Sequence, residues 1–335
     1  MSAALPGVAG EFLCAAKNPR HPERCEDRVV MALPWAVAVI DGATDINGNV
    51  YGGRAGGWLA ADALARFLHR AAAAGELARW DDAALIRAAN ACLIDLYASL
   101  GIAEATAREG SRRFRAGLAV ARAMADGVRV TSIALPGVRI DGRRMPLAGA
   151  EPAHGFENLL SLQRAALWRD PDLAALAPSE REQACRAMLI HGRDGAGQYA
   201  AAWARAEAAV RAQVSGPASA IEAAFARGLI GSRRSLSAAD PLFGACVDGY
   251  CGDQRADWTE TLAWGSFATI ELFSDGYVVP PASATVAAWE DGVRRMNEED
   301  PHRVGAWPAV KGAIPGGHHD DRSIVIVRSW ATPEF

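Results

Sequence analysis

An apolar run from Trp35 to Ile40 stops at Asp41-Gly42, passes into a polar, glycine-rich loop, and is followed from Trp58 to Arg70 by WLAADALARFLHR, whose apolar residues recur at helical spacing. No other stretch limits the fold as much. An unbroken apolar run of that length bounded by turn residues is a buried strand. A carboxylate delivered to the end of such a strand, with a helix behind it, sits on a rigid element, a common way to build a site. Three further acidic stretches are placed to meet Asp41 there: Cys25-Glu26-Asp27-Arg28, Ser274-Asp275-Gly276 and His319-Asp320-Asp321-Arg322.

The rest of the chain narrows the setting. Its 335 residues allow one large domain or two ordinary ones, and the hydrophobic half of the composition allows a sizeable core. A net charge of −4 argues against a surface matched to nucleic acid. Six scattered cysteines without a Cys-x-x-Cys pair argue against a zinc ribbon and for a reduced, cytoplasmic protein. Glu11 interrupts the apolar N-terminal residues and no basic segment precedes them, a poor secretory signal. No apolar run approaches about 18 residues, so no membrane span is expected.

Strands are expected at Glu11 to Ala16, Arg28 to Leu33 and Trp35 to Ile40, helices at Trp58 to Ala74 and Asp81 to Leu100, with Asp81 or Asp82 near the N-cap. Asp126-Gly127 and Asp141-Gly142 mark two hairpins. From Phe156 to Leu229 the chain turns Ala-, Arg- and Glu-rich with few β-branched residues and reads as several helices. Strand character returns at Leu242 to Val247, Phe267 to Phe273 and Ser323 to Val327, with a helix from Ala284 to Met296 capped by Ser283. Strands flank a helical middle, and the acidic motifs come from both flanks. A single domain over 1–335 with a helical insertion at 156–229 is therefore expected. The Gly52 to Gly57 stretch lacks the phasing of a phosphate loop and reads as a flexible entry into the Trp58 helix that allows close packing. Arg112, Arg113 and Arg115 read as a solvated face.

Asp-Gly alone is weak: the chain holds seven such dipeptides, and Asp-Gly is a favoured turn. Asp41 and Asp275 differ in closing long apolar strands, and neither is followed directly by a matching strand. Asp320 and Asp321 would repel each other unless a cation stood between them. Either these are solvated turn acids, or they form a hard-cation site suited to Mg²⁺ or Mn²⁺, where two ions about 4 Å apart share a carboxylate.

The order of the motifs, CEDR at Cys25–Arg28, VIDGATD at Val39–Asp45, FSDGY at Phe273–Tyr277 and DDRSIVIV at Asp320–Val327, resembles the PP2C (PPM) family of metal-dependent serine/threonine protein phosphatases of bacterial type. The resemblance spans nearly the whole chain. It implies an α+β fold: a four-layer α-β-β-α sandwich of two antiparallel sheets. Asp41 would bridge two Mn²⁺ or Mg²⁺ ions; the Gly42 carbonyl and Glu26 would serve one, Asp275 and Asp320 the other. Asp41, Asp275 and Asp320 would thereby be the catalytic acids, with a metal-activated water attacking the phosphate monoester of a phosphorylated protein. The alternative is a catalytically weak or inactive relative that works by binding a partner.

The sequence also departs from the family's pattern. Leu135 stands where a Gly-Asp-Ser-like motif would place Asp, and Val279 where a further Asp is usual; both acids are associated with a third metal. Ala43 replaces a His that often follows the strand-end Asp-Gly. His318 and His319 lie beside Asp320 and read as solvated turn residues. The phosphate-binding Arg would fall on Pro22, flanked by Arg20 and Arg24, either of which is a candidate. His318 or His319 as general acid, and Arg20 or Arg24 on phosphate, are the substitutes this pattern leaves.

Overall fold

The structure, a computed structural model, describes residues 2–5, 8–145, 155–234, 246–250 and 256–330. In chain order the strands and helices are β1 (Ser2–Leu5), β2 (Val8–Ala15), β3 (Arg28–Ala32), β4 (Ala36–Gly42), β5 (Val50–Tyr51), β6 (Arg54–Ala55), α1 (Gly56–Ala73), α2 (Asp82–Ser99), α3 (Ala103–Arg108), β7 (Ala116–Met124), β8 (Gly127–Ile133), β9 (Gly137–Ile140) and β10 (Arg143–Arg144). There follow α4 (Phe156–Arg169), α5 (Pro171–Ala174), α6 (Pro178–His191), α7 (Ala200–Arg211), α8 (Ala218–Arg234), β11 (Trp258–Ala263), β12 (Ile270–Phe273), α9 (Val286–Glu299) and β13 (Arg322–Trp330).

The strands pair antiparallel in two main sheets, one ordered β1-β2-β13-β12-β9-β10 and the other β11-β8-β7-β4-β3, with β5 and β6 a small hairpin apart. Side-chain alternation with period two sets the layers. On β4, Val37 and Val39 face the other sheet, meeting Val138, Leu272, Val325 and Val327. Ala36, Ala38 and Ile40 face α1 and α2, meeting Leu64, Leu68, Leu85 and Leu93. β4 is covered on both faces, so its sequence shows no polar alternation. On the outer face of the first sheet, Phe273, Ile324 and Ile326 pack on Trp289 and Val293 of α9. The result is a helix-sheet-sheet-helix sandwich, the α+β class.

Residues 156–234 are helical and build a core of their own around Leu160, Leu173, Met188, Trp203 and Phe225. Within α8, Gly228 turns to φ +59°, where its backbone comes against Gly192. The loop between α9 and β13 docks on this core through Val304 and Val310. Buried Arg164 of α4 donates to the carbonyls of His302, Arg303 and Ala309 at 2.8–3.1 Å and pairs with Glu182.

A second polar hub ties α2 to the sheet. Asp82 accepts from Arg122 of β7 at 2.8 Å, from Thr131 of β8 at 2.6 Å and from Thr259 of β11 at 2.9 Å, and pairs with Arg129. Asp81 is the N-cap of α2, accepting from the Ala84 amide.

Several elements differ from expectation. β11 carries the half-exposed, polar sequence WTETLA of an edge strand, with no apolar run to announce it. α9 is capped by Thr285, whose hydroxyl accepts from the Ala288 amide, two residues later than Ser283. Arg115 is buried and Arg113 lies over the Tyr250 ring beside Asp248, so only Arg112 of that trio is a solvated residue. The strand expected at Leu242 to Val247 lies mostly outside the described residues; Val247 bridges Ala116.

Candidate active site

Asp41 occupies β4 on the same face as Val37 and Val39 and so points between the sheets. From the facing sheet, Asp275 leaves the end of β12 and Asp320 precedes the start of β13. Those two strands are held in register there, Phe273 opposite Ile324, with the Ser274 amide donating to the Ser323 carbonyl at 2.9 Å. Glu26 lies just before β3, the partner of β4. The Asp275 amide donates to Asp41 Oδ2 at 3.5 Å. Residues separated by more than two hundred positions thus meet at one end of the sandwich.

Close backbone approach makes this possible. A Cβ on Gly42 would lie 2.4 Å from the Gly57 carbonyl oxygen and 2.5 Å from that of Glu26; one on Gly57 would lie 2.5 Å from the Ala43 carbonyl oxygen and 2.7 Å from Glu26 Oε1. The glycine-rich approach to α1 is a packing device.

Two lysines stand among the acids. Lys311 Nζ is 2.7 Å from Asp320, and Lys17 Nζ is 3.3 Å from Glu26, 3.4 Å from Asp321 and 3.9 Å from Asp320. Asp321 is not a solvated partner of Asp320. Its carboxylate accepts the Lys17 amide at 2.6 Å and the Glu26 amide at 3.0 Å, tying the N-terminal loop to the start of β13. Asp27 is buried and accepts from Ser323 Oγ at 2.9 Å. The cation that must separate Asp320 from Asp321 is therefore present as ammonium.

Charge is unevenly compensated. Six carboxylates (Glu26, Asp27, Asp41, Asp275, Asp320 and Asp321) share this end, and among the described residues only Lys17 and Lys311 ion-pair with any of them. Burial works to raise Asp320, but Lys311 and Lys17 outweigh it and hold its carboxyl below the usual range. Burial, then Asp27 and Asp320, pushes Asp41 well up; burial, then Asp41 and Asp320, does the same to Asp275. Glu157 of α4 adds to that pressure on Asp275, so the helical segment borders the site. Glu26 Oε2 accepts from Thr44 Oγ1 at 2.7 Å, while its buried Oε1 has no hydrogen-bond partner.

This donor set, all hard oxygen with an excess of buried negative charge and an orphaned carboxylate oxygen, suits a Mg²⁺- or Mn²⁺-type cation. As placed, no three His, Cys, Asp or Glu side chains among the described residues close around one point. Asp41 and Asp275 lie together without an ion-pair partner among the described residues, whereas an ammonium stands on Asp320.

The remaining candidates fall elsewhere. Arg24 is 74% exposed, beside Glu23, and exposed Arg20 lies over Gly316. Lys17 is the basic residue of that loop that reaches the acids. His319 is buried rather than solvated; burial pushes its pKa down to about 3, so near neutrality it is a neutral imidazole rather than an imidazolium acid. His318 is half-buried and bonded to Asn297 at 2.9 Å. Leu135 projects 40% exposed from a loop that closes on itself, Ser132 Oγ donating to the Pro136 carbonyl at 2.7 Å and the Ala134 amide to Asp257 at 2.5 Å. It is thus neither an acid nor a core residue. Lys17 and Lys311 are the only two lysines in a chain whose other strongly basic residues are all Arg, but neither lies in a motif or a periodic element.

No protein-family model matches the chain, and no curated protein does. Among solved structures, the chain is similar to the serine/threonine phosphatase PstP/Ppp of Mycobacterium tuberculosis, at 13% identity over 97% of this chain and 100% of that one, with a TM-score of 0.46. It is also similar to the serine/threonine phosphatase Stp1 of Staphylococcus aureus, at 11% identity over 96% and 94% of the two chains, with a TM-score of 0.44. A third similar structure is RsbX in complex with magnesium, at 10% identity over 98% of each chain, with a TM-score of 0.41.

Proposed function

We propose that this chain is a PP2C-like phosphatase, a single domain with a helical insertion, that hydrolyses phosphoserine or phosphothreonine in a protein with the help of Mn²⁺ or Mg²⁺. The observation that supports this most is the meeting of Asp41, Asp275, Asp320 and Glu26, four motif acids far apart in the chain, at one end of the two-sheet sandwich with more negative charge than the nearby lysines offset. Asp41, Asp275, the Gly42 carbonyl and Glu26 would hold the cation, which when bound lowers the pKa of water and neutralises phosphoryl oxygens. Lys17, a quarter exposed at the rim, is placed to receive a phosphate oxygen. Asp321 and Asp27 hold the N-terminal loop and β13 together beneath it. Buried His319, a neutral imidazole, is no imidazolium acid for the leaving group.

Hydrolysis of an aryl phosphate by the purified chain, with and without Mn²⁺, tests this. Manganese-dependent turnover that disappears in Asp41→Asn is expected. A second reading has its own support: the two ammonium groups among the acids favour a phosphoprotein-binding relative without turnover. A folded protein that binds a phosphopeptide yet hydrolyses nothing with Mn²⁺ or Mg²⁺ would select it.

A further inference from the structure

Lys311 is delivered to its position by the fold. The residues beside it are fixed: the Gly312 amide donates to Glu182 at 3.3 Å, the Ala313 amide to the Pro301 carbonyl at 3.1 Å, and the Ala309 carbonyl accepts from Arg164 at 3.1 Å. Val310 packs on the helical core. A lysine on an untethered loop keeps its ammonium in water, because immobilising so long a side chain costs entropy. Here the tethering is already made by its neighbours, and the ammonium ends 2.7 Å from Asp320 with three quarters of the side chain covered. Asp275 and Glu26 attract the same ammonium.

The other side of the cluster is different. Asp41 and Asp275 lie side by side without an ion-pair partner among the described residues; Glu26 has a buried Oε1 with no hydrogen bond, while its Oε2 stands 3.3 Å from Lys17. A divalent ion on Asp320 needs an oxygen roughly 2.0–2.6 Å away. An ammonium hydrogen-bonded to that carboxylate competes for the same lone pairs and adds repulsion.

We propose that Lys311 takes the place of one divalent cation, so that the centre holds a single ion on the side of Asp41 and Asp275, with the Lys311 ammonium as a fixed counter-charge on Asp320. The proposal rests on the reading of this end of the sandwich as a cation site, and it changes the expected number of ions from two to one.

The test counts Mn²⁺ bound per chain by equilibrium dialysis of the full-length protein, independently of turnover. Wild type should bind one ion. Lys311→Met, which keeps the apolar stem without the charge, should bind two, the second at least tenfold tighter than any second site in wild type; Lys311→Arg should bind one. Two ions in wild type overturn the proposal while leaving a phosphatase reading intact if aryl phosphate is hydrolysed. One ion in a folded Lys311→Met also overturns it. No ion in wild type or in Lys311→Met overturns both the proposal and the cation dependence beneath it. If Lys311→Met does not fold, the wild-type count decides alone.

Discussion

Two regions supply the charges of this site, and they are built differently. The acids stand at the ends of β4, β12 and β13, positions set by sheet register and packed on both faces. The Lys311 ammonium comes from the loop between α9 and β13, whose conformation is held by side chains of the helical segment, Arg164 and Glu182 foremost. The strand ends are fixed by the sandwich itself; the counter-charge is fixed by something attached to it. The charge balance at this end of the sandwich is therefore set by two regions rather than one.

The largest expected effect breaks the strand side. Asp41→Asn should lower manganese-dependent turnover about a thousandfold, as for loss of a principal electrostatic group, with the thermal midpoint unchanged or raised because a buried carboxyl loses its charge. A residual rate near wild type would remove Asp41 from the centre. Next, Arg164→Ala attacks the loop side. It strands three carbonyls and Glu182, and should cost about 2–4 kcal/mol in the helical segment. Hydrogen exchange should accelerate in residues 300–314 while the β4 amides stay protected. Equal acceleration in both would mean that the two regions are one cooperative unit and the contrast is false.

Smaller effects sharpen the same contrast. Gly57→Ala, whose Cβ would meet the Ala43 carbonyl at 2.5 Å, should destabilise by about 1–3 kcal/mol. It should also weaken Mn²⁺ binding measured by titration, since the strain falls on Glu26. Lys17→Met should raise KM for an aryl phosphate about tenfold, the worth of one charge-assisted hydrogen bond, with little change in kcat. Arg24→Ala, on an exposed side chain, should change KM less than about twofold; a larger rise would return the phosphate contact to that arginine.

The same division explains what the sequence discloses. Asp41 is legible because β4 is buried on both faces, so an unbroken apolar run ends at the carboxylate. Asp275 is legible because Ile270 to Phe273 are all buried. The α2 start is legible because Asp81 precedes a periodic segment. β11 is hidden because an edge strand exposed on one side alternates polar residues and lacks a run. Lys17 and Lys311 are hidden for a deeper reason. Neither lies in an element with a period, and what gives each its place is a set of contacts with residues far away in sequence: Asp321 for one, Arg164 and Glu182 for the other. Asp321 itself reads as a repelled neighbour of Asp320, whereas backbone amides from the other end of the chain satisfy it.

The Asp82 hub lies at the opposite end of the same strands: Arg122 sits across from Ala36 at the start of β4, while Asp41 sits across from Gly117. Burial would raise the Asp82 carboxyl, but Arg129, Thr131 and Thr259 prevail and hold it below the ordinary aspartate value. A carboxylate depressed in the folded state contributes stability above its unfolded pKa, near 3.9, and loses that contribution only as pH falls through the lower, folded value. One aspartate thus fastens α2 to three strands, β7, β8 and β11, and the fastening tolerates acid that would already have protonated an unpaired aspartate. On mild acidification the helix should stay in place over this end of the sheet, as an anchored hinge pin against which any loosening elsewhere is felt.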